Sequence, residues 1–313
     1  MASDVGVLRT GFVRLRVLDL DESVHFYGEV LGLLAAAADH DGSGCAFFRA
    51  WDECDPYSVV LRQADTPGLD RIGFKVRDDR VLAQLERALH EAGERPVRQP
   101  EEPSTGIGQR LGLGLPGGHT VELYTGPVTA AGREATVVDP PAWLSESERG
   151  VGVQRLDHCV LSGPMVGRSE ALFAGSLGFS VAERAMGTDP GHPVGSWLST
   201  SGRPCDIAFL EHGEPGRLHH VAFRVASAEQ VLRAADRFSM SRVPIDAGPF
   251  RDPVGRRLAV QALDPSGNRI EVFWSSRESQ ADAPTVIWSW QRVGAQMALR
   301  DQRTRERLLP DVT

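Results

Sequence analysis

Apolar and polar positions alternate along much of this chain, and the pattern predicts short strands interrupted by a few helices. Phe12-Val13-Arg14-Leu15-Arg16-Val17 follows the period of two expected of a half-buried strand. Asp19 or Asp21 can cap a helix that runs to about Leu31, and Gly32 suits its end. Cys45 to Phe48, Ser58 to Leu61 and Arg71 to Val76 read as further strands. Val81 to Ala92 has helical spacing and is stopped by Gly93 and Pro96. Pro116-Gly117-Gly118 turns the chain into a strand from His119 to Tyr124.

The second half runs through the same order. Leu156 to Leu161 is a strand, Ser169 to Leu177 a helix, and Trp197 to Ser199 and Asp206 to Leu210 are strands. The run Arg217-Leu218-His219-His220-Val221-Ala222-Phe223-Arg224-Val225 is a buried strand opened by two histidines. Alternation places Val221, Phe223 and Val225 on one face and His220, Ala222 and Arg224 on the other, and turns His219 away from His220. Ala228 to Phe238 is a helix, Asp264 to Asn268 a turn, and Arg269 to Trp274 the closing strand. A C-terminal helix is expected over about Ser289 to Leu308, packed back on this half.

Laid over one another, the halves align Phe12 with His158, Arg71 with His220 and Glu122 with Glu271. Arg71 and Glu122 are 51 residues apart, and so are His220 and Glu271. A repeat of this size means duplicated modules. The expected division is a metal-free first domain (1–130), a linker (131–150), a metal-binding domain (151–278) and a tail (279–313).

The repeat changes the meaning of the histidines. A buried histidine is more often a core residue than a ligand. A scaffold that folds with Phe12 and Arg71 at the equivalent positions, however, does not need histidine for folding. His158, His220 and Glu271 then form two imidazoles and a carboxylate on one face. This set suits non-haem Fe(II) and leaves coordination positions open for a substrate and O2; Mn(II) could bind it too. The structural alternative pairs Glu271 with Arg269 or Arg224. His219 aligns with Asp70 and is assigned a supporting role.

Composition narrows the field. Of 313 residues, 41% are hydrophobic, and the formal net charge is −8, with no basic face for nucleic acid. There is no apolar run long enough for a membrane helix, and Met1 to Thr10 lacks the apolar core of a signal peptide. Cys45, Cys54, Cys159 and Cys205 form no CxxC pair, which fits free thiols in a reducing cytoplasm.

With these residues in view, the chain resembles the two-domain catechol 2,3-dioxygenases (metapyrocatechases), type I extradiol dioxygenases of the vicinal oxygen chelate superfamily. The resemblance rests on Val13 to Asp19, Gly73 to Val76, Gly216 to Val221, Arg233 to Asp236, Asp264 to Arg269, Glu271 to Phe273 and Arg305 to Arg307. It implies an α+β fold of two domains, each a pair of βαβββ modules around a funnel. His158, His220 and Glu271 would be the ligands, a catechol-like aromatic and O2 the substrates, and a homo-oligomer, typically a tetramer, the assembly.

The surroundings of the implied site depart from the family. Cys205 and Asp252 stand where the family has histidines, and Gln261 where it has a tyrosine. A proton-transfer group contributes roughly 10²–10⁴ in rate, so these changes bear on mechanism. Asp252 could serve as a base or pair with Arg256 or Arg257. Trp197 is expected to line the pocket, and His212 or His192 could return an imidazole to it. The expected function is extradiol-type cleavage of an atypical, biosynthetic catechol-like substrate. The alternative is a metal-dependent lyase or isomerase of the same fold, or a non-catalytic ligand-binding protein.

Overall fold

The computed structural model describes residues 6–36, 44–101, 107–126, 148–189, 191–278, 282–296 and 312–313. The first half comprises β1 (Val7–Val17), α1 (Leu20–His25), a π-helical turn (Phe26–Val30), β2 (Leu34–Ala35), β3 (Cys45–Arg49), β4 (Val59–Gln63), β5 (Gly68–Val76), α2 (Asp79–Glu91), β6 (Val97–Gln99), β7 (Arg110–Gly114) and β8 (Thr120–Thr125). The second comprises β9 (Arg155–Gly163), α3 (Val166–Ser176), β10 (Ser180–Met186), β11 (Pro193–Ser199), β12 (Ile207–Glu211), β13 (Arg217–Arg224), α4 (Ala228–Met240), β14 (Ile245–Asp252), β15 (Arg257–Leu263) and β16 (Arg269–Trp274). β17 (Val286–Ser289) and α5 (Trp290–Gln296) follow.

Of the two caps expected for the first helix, Asp19 is the one used. The side chains of Asp19, Asp78 and Ser227 accept from the backbone N–H three residues on, at the starts of α1, α2 and α4. The expected helix over Ser289 to Leu308 differs in its start: Val286–Ser289 is a strand, paired parallel with β10, and the helix begins at Trp290. The rest of that expected helix, and most of the expected linker, lie outside the described residues.

Each half folds into one sheet, and the two sheets have the same strand order. The first runs β2-β3-β4-β1-β5-β8-β7-β6. The second runs β10-β11-β12-β9-β13-β16-β15-β14, with β17 added at its outer edge. Each sheet is therefore two βαβββ modules joined through their first strands. The α+β fold of paired modules expected from the sequence is the one observed.

The registers repeat as well. Phe12 faces Gly73, which faces Glu122; His158 faces Ala222, which faces Glu271. Two bulges are duplicated with them. Gly11 and Asp157 are extra residues beside Phe12 and His158, and Asp70 and His219 are extra residues beside Arg71 and His220.

The halves share one apolar core. Phe26 of the first stacks on Phe238 of the second at 6.5 Å, and Phe74 meets Phe173 and Phe179 edge-on. Polar ties cross the same boundary: Thr10 Oγ1 donates to Asp206 O (2.9 Å) and Leu156 N to Glu53 Oε1 (2.8 Å). Among the described residues, no helix is long and apolar enough to cross a membrane.

Candidate metal centre

His158 on β9, His220 on β13 and Glu271 on β16 come from three adjacent strands and point to one spot. One donor atom from each lies within 4.8 Å of the others, and all three residues are buried. His158 Nε2 is 4.0 Å from Glu271 Oε1, and His220 Nε2 is 3.7 Å from Glu271 Oε2. His220 Nε2 and Glu271 Oε1 are buried without a hydrogen-bond partner. Buried polar atoms are normally paired, so this is what a cation site would leave. Arg269 pairs with Asp246 at 2.8 Å instead of with Glu271.

The bulges orient the imidazoles. Asp157, out of alternation, turns to the same side as His158, and its Oδ1 accepts from Nδ1 at 3.0 Å. That proton placement leaves the Nε2 lone pair for a ligand. Burial raises the Asp157 carboxyl, but the bond from His158 and the charge of Arg203 outweigh it and hold the pKa at about 2. Burial, then the charge of Arg257, lowers the pKa of His158. Burial, then the charges of His158 and Arg269, lowers that of His220 far more. Both rings are thus neutral near pH 7, as metal ligands must be.

The second bulge corrects the expectation for His219. Strict alternation turns it away from His220, but the extra residue brings it back. The two Nδ1 atoms lie 2.7 Å apart, and the ring centres 4.9 Å.

The other expected site residues divide into two groups. Trp197, Asp252 and Gln261 line the pocket above the three donors, together with Val160, Leu210, Phe250, Val254 and Val293. Gln261 Nε2 donates to Glu271 Oε2 at 2.7 Å, so it holds the carboxylate. Asp252 accepts from Val254 N at 3.0 Å, and burial pushes its pKa up to about 7. Cys205 is fully buried in the apolar cluster with Trp197 and Phe250. Burial raises its thiol pKa well above the ordinary range, so it stays protonated.

His212 and His192 lie elsewhere. His212 sits in the turn after β12, where its Nδ1 accepts from Glu214 N at 3.1 Å. His192 is exposed and bonds Asp189 at 2.7 Å, bordering a groove beside α3.

Two participants do not stand out in the sequence, where Asp157 reads as an ordinary strand residue. Arg257, considered there only as a neighbour of Asp252, is buried among the donors, with Nη1 2.8 Å from His158 Nε2 and 3.6 Å from Glu271 Oε1.

Duplicated βαβββ sheets with such a donor set define the vicinal oxygen chelate class. The Glyoxalase/Bleomycin resistance protein/Dioxygenase superfamily matches residues 155–272, and the Catechol 2,3-dioxygenase-like N-terminal domain matches residues 69–126. A metapyrocatechase of Pseudomonas sp. (strain CF600) is 37% identical over 98% of this chain and 99% of its own. A manganese-dependent 2,3-dihydroxybiphenyl 1,2-dioxygenase of Geobacillus genomosp. 3 is 25% identical over 85% of each. The crystal structure of the 2,3-dioxygenase LapB from Pseudomonas sp. KL28 superposes with a TM-score of 0.85 at 40% identity, covering 92% of this chain and 99% of that one. The chain belongs to the metapyrocatechase family of extradiol ring-cleaving dioxygenases.

Proposed function

We propose that this chain is a non-haem Fe(II)-dependent extradiol-type dioxygenase that opens the ring of a catechol-like aromatic. His158, His220 and Glu271 are its metal ligands, and Mn(II) is the other ion the site suits. The observation that carries this is the convergence of two neutral, buried imidazoles and a buried carboxylate, with donor atoms within 4.8 Å of one another. A relative named as a manganese-dependent 2,3-dihydroxybiphenyl 1,2-dioxygenase supports a divalent ion at such a site. A homo-oligomeric, cytoplasmic enzyme is part of this reading. The cytoplasmic part is favoured by the free cysteines, of which Cys45, Cys159 and Cys205 are buried.

The bound ion would act as a Lewis acid toward the diol oxygens and leave open positions for O2. The protein's own groups prepare that site. Asp157 fixes the ring of His158, and Gln261 fixes the carboxylate of Glu271. Val160, Trp197, Leu210 and Phe250 are apolar residues lining the pocket, and an aromatic ring would pack against them. Asp252, with a pKa of about 7, can hold or release a proton at its carboxylate near neutrality. Cys205 cannot serve as a base, because its thiol stays protonated. A substrate that brings its own acidic group therefore suits this pocket better than plain catechol does.

The test is anaerobic loading with Fe(II), followed by a panel of catechols and oxygen. Oxygen uptake with a yellow ring-opened product is expected, and His158→Ala and His220→Ala should each lose iron while keeping the wild-type circular dichroism. Normal iron content in both variants would overturn the ligand assignment.

A further inference from the structure

The proposed ligands share their cage with a guanidinium. Arg257 is 2% exposed and reaches in from the start of β15. Its Nη1 is 2.8 Å from His158 Nε2 and 3.6 Å from Glu271 Oε1, and its Cζ lies 5.3 Å from the centre of the Phe273 ring. Gly255, at φ +66°, makes the space: a Cβ there would come within 2.9 Å of Arg257 Nε and Nη2. The guanidinium is thus seated by the backbone around it.

One lone pair serves one partner. Asp157 accepts a hydrogen bond from Nδ1–H of His158, so the Nε2 lone pair is the ring's only remaining acceptor, and Arg257 donates into it. A metal on His158 Nε2 and this hydrogen bond exclude each other.

The first sheet shows the same counter-charge at its equivalent glutamate. Glu122 is paired with Arg71 at 2.9 Å and approached by Arg110 at 3.7 Å. Arg110 lies on β7, the counterpart of the β15 strand that carries Arg257. In the second sheet Arg71 is replaced by neutral His220, and the cation facing the carboxylate comes from β15.

We propose that Arg257 is the resident counter-cation of this cage, displaced when a divalent ion loads and then used to bind an anionic oxygen of the diol in the same pocket. This rests on the ligand assignment above. The side chain borders the pocket alongside Asp252, Gln261 and Trp197, so freeing His158 Nε2 leaves the guanidinium within reach of what enters. Guanidinium offers charge and paired hydrogen bonds, and it does not give up a proton near neutral pH. It supplies the charge-stabilising part of what an imidazole does and leaves proton transfer to other groups.

The experiment titrates metal-free wild type, Arg257→Gln and Arg257→Met with Mn(II), following the free ion by electron paramagnetic resonance. The Mn(II)-saturated proteins are then titrated with 4-nitrocatechol, whose visible absorption reports its ionisation. Both variants should bind Mn(II) about tenfold tighter or more, because a competing positive charge is gone. Both should bind the nitrocatechol anion about tenfold more weakly or worse, because a charge-assisted donor is lost. Arg257→Lys, which keeps the charge, should stay nearer wild type on both. A merely structural role would weaken both kinds of binding together, so the opposite signs are diagnostic.

Variants with wild-type circular dichroism that bind Mn(II) no tighter than wild type overturn the proposal while leaving the ligand assignment standing. Equally tight nitrocatechol binding overturns the substrate role. If none of the proteins, wild type included, takes up Mn(II), the ligand assignment falls and this proposal falls with it.

Discussion

The two sheets are the same construction finished in two ways. In the first, Phe12 fills the position of His158. Its ring packs against Tyr57 and Tyr124 and covers Gly73, where a Cβ would come within 2.1 Å of it. Arg71 takes the position of His220 and neutralises Glu122 from 2.9 Å. The bulge residues differ accordingly. Gly11 stands opposite Asp157 in the alignment and has no side chain to offer a ligand, and Asp70 bonds Arg62 at 3.0 Å where His219 supports an imidazole. A buried glutamate is common to both sheets, so the carboxylate alone does not make a site. What distinguishes the second sheet is replacement of an aromatic plug and a cation by two neutral nitrogen donors, each with a bulge residue set beside it.

The sharpest way to break this comparison is to remove the shared glutamate from each sheet in turn. Glu271→Ala should abolish metal uptake, measured by equilibrium dialysis and metal analysis. Glu122→Ala should leave metal uptake intact and lower stability instead, because Arg71 and Arg110 lose a buried partner. The cost is about 2 kcal/mol by denaturant unfolding, below the figure for a fully buried pair because Arg71 keeps some solvent. If Glu122→Ala lowered metal uptake as much as Glu271→Ala, the two sheets would not differ in metal binding.

The duplication explains why the candidate donor triad is legible in the sequence. Each candidate could be compared with a residue holding the same place in a copy that folds without it. The periodicity of two likewise located the strands that carry the triad. It fails at a bulge, where one extra residue shifts the alternation without leaving a mark in composition. His219 therefore reads as a residue of the opposite face and Asp157 as an ordinary strand residue, although both turn toward the candidate donors. Arg257 was hidden for another reason. It follows Gly255 and Arg256 at the start of β15, where a charged residue resembles a solvated turn; only the tertiary fold shows it to be buried. The pattern does not single out β2, β6, β7, β10, β14 or β15, and β14 in particular lacks clean alternation and contains Gly248-Pro249.

A smaller effect tests the support around the carboxylate. Gln261 lies directly across from Glu271 in the sheet and donates to its Oε2; the equivalent position in the first sheet is Gly112, across from Glu122. Gln261→Leu keeps the apolar bulk and removes the donor. Metal affinity should fall about 10–100-fold, the usual cost of losing a partner that orients a ligand. The fold should be unaffected, since no backbone group depends on this side chain in the hydrogen bonds observed. An unchanged Mn(II) affinity would show that β16 alone holds the carboxylate in place.

The smallest expected effect concerns Asp252, which has no counterpart of known role in the first sheet. Burial raises its pKa from 3.8 to about 7, while the charge of Arg257 and the Val254 N–H pull the other way. The folded state therefore holds this proton more tightly than the unfolded chain does. Its contribution to stability is greatest below the unfolded pKa, declines as pH rises from about 4 toward 7, and is flat above that. Asp252→Asn, an uncharged near-isostere, should remove this slope, so that the wild-type and variant melting temperatures converge in acid and separate toward pH 8, with the variant higher. The same substitution tests the proton-holding role in turnover. If Asp252 exchanges a proton with the substrate, kcat of the wild type changes across pH 7 and that of Asp252→Asn does not. Parallel pH profiles for the two proteins, in both melting and turnover, would show that the carboxyl does not titrate in this pocket.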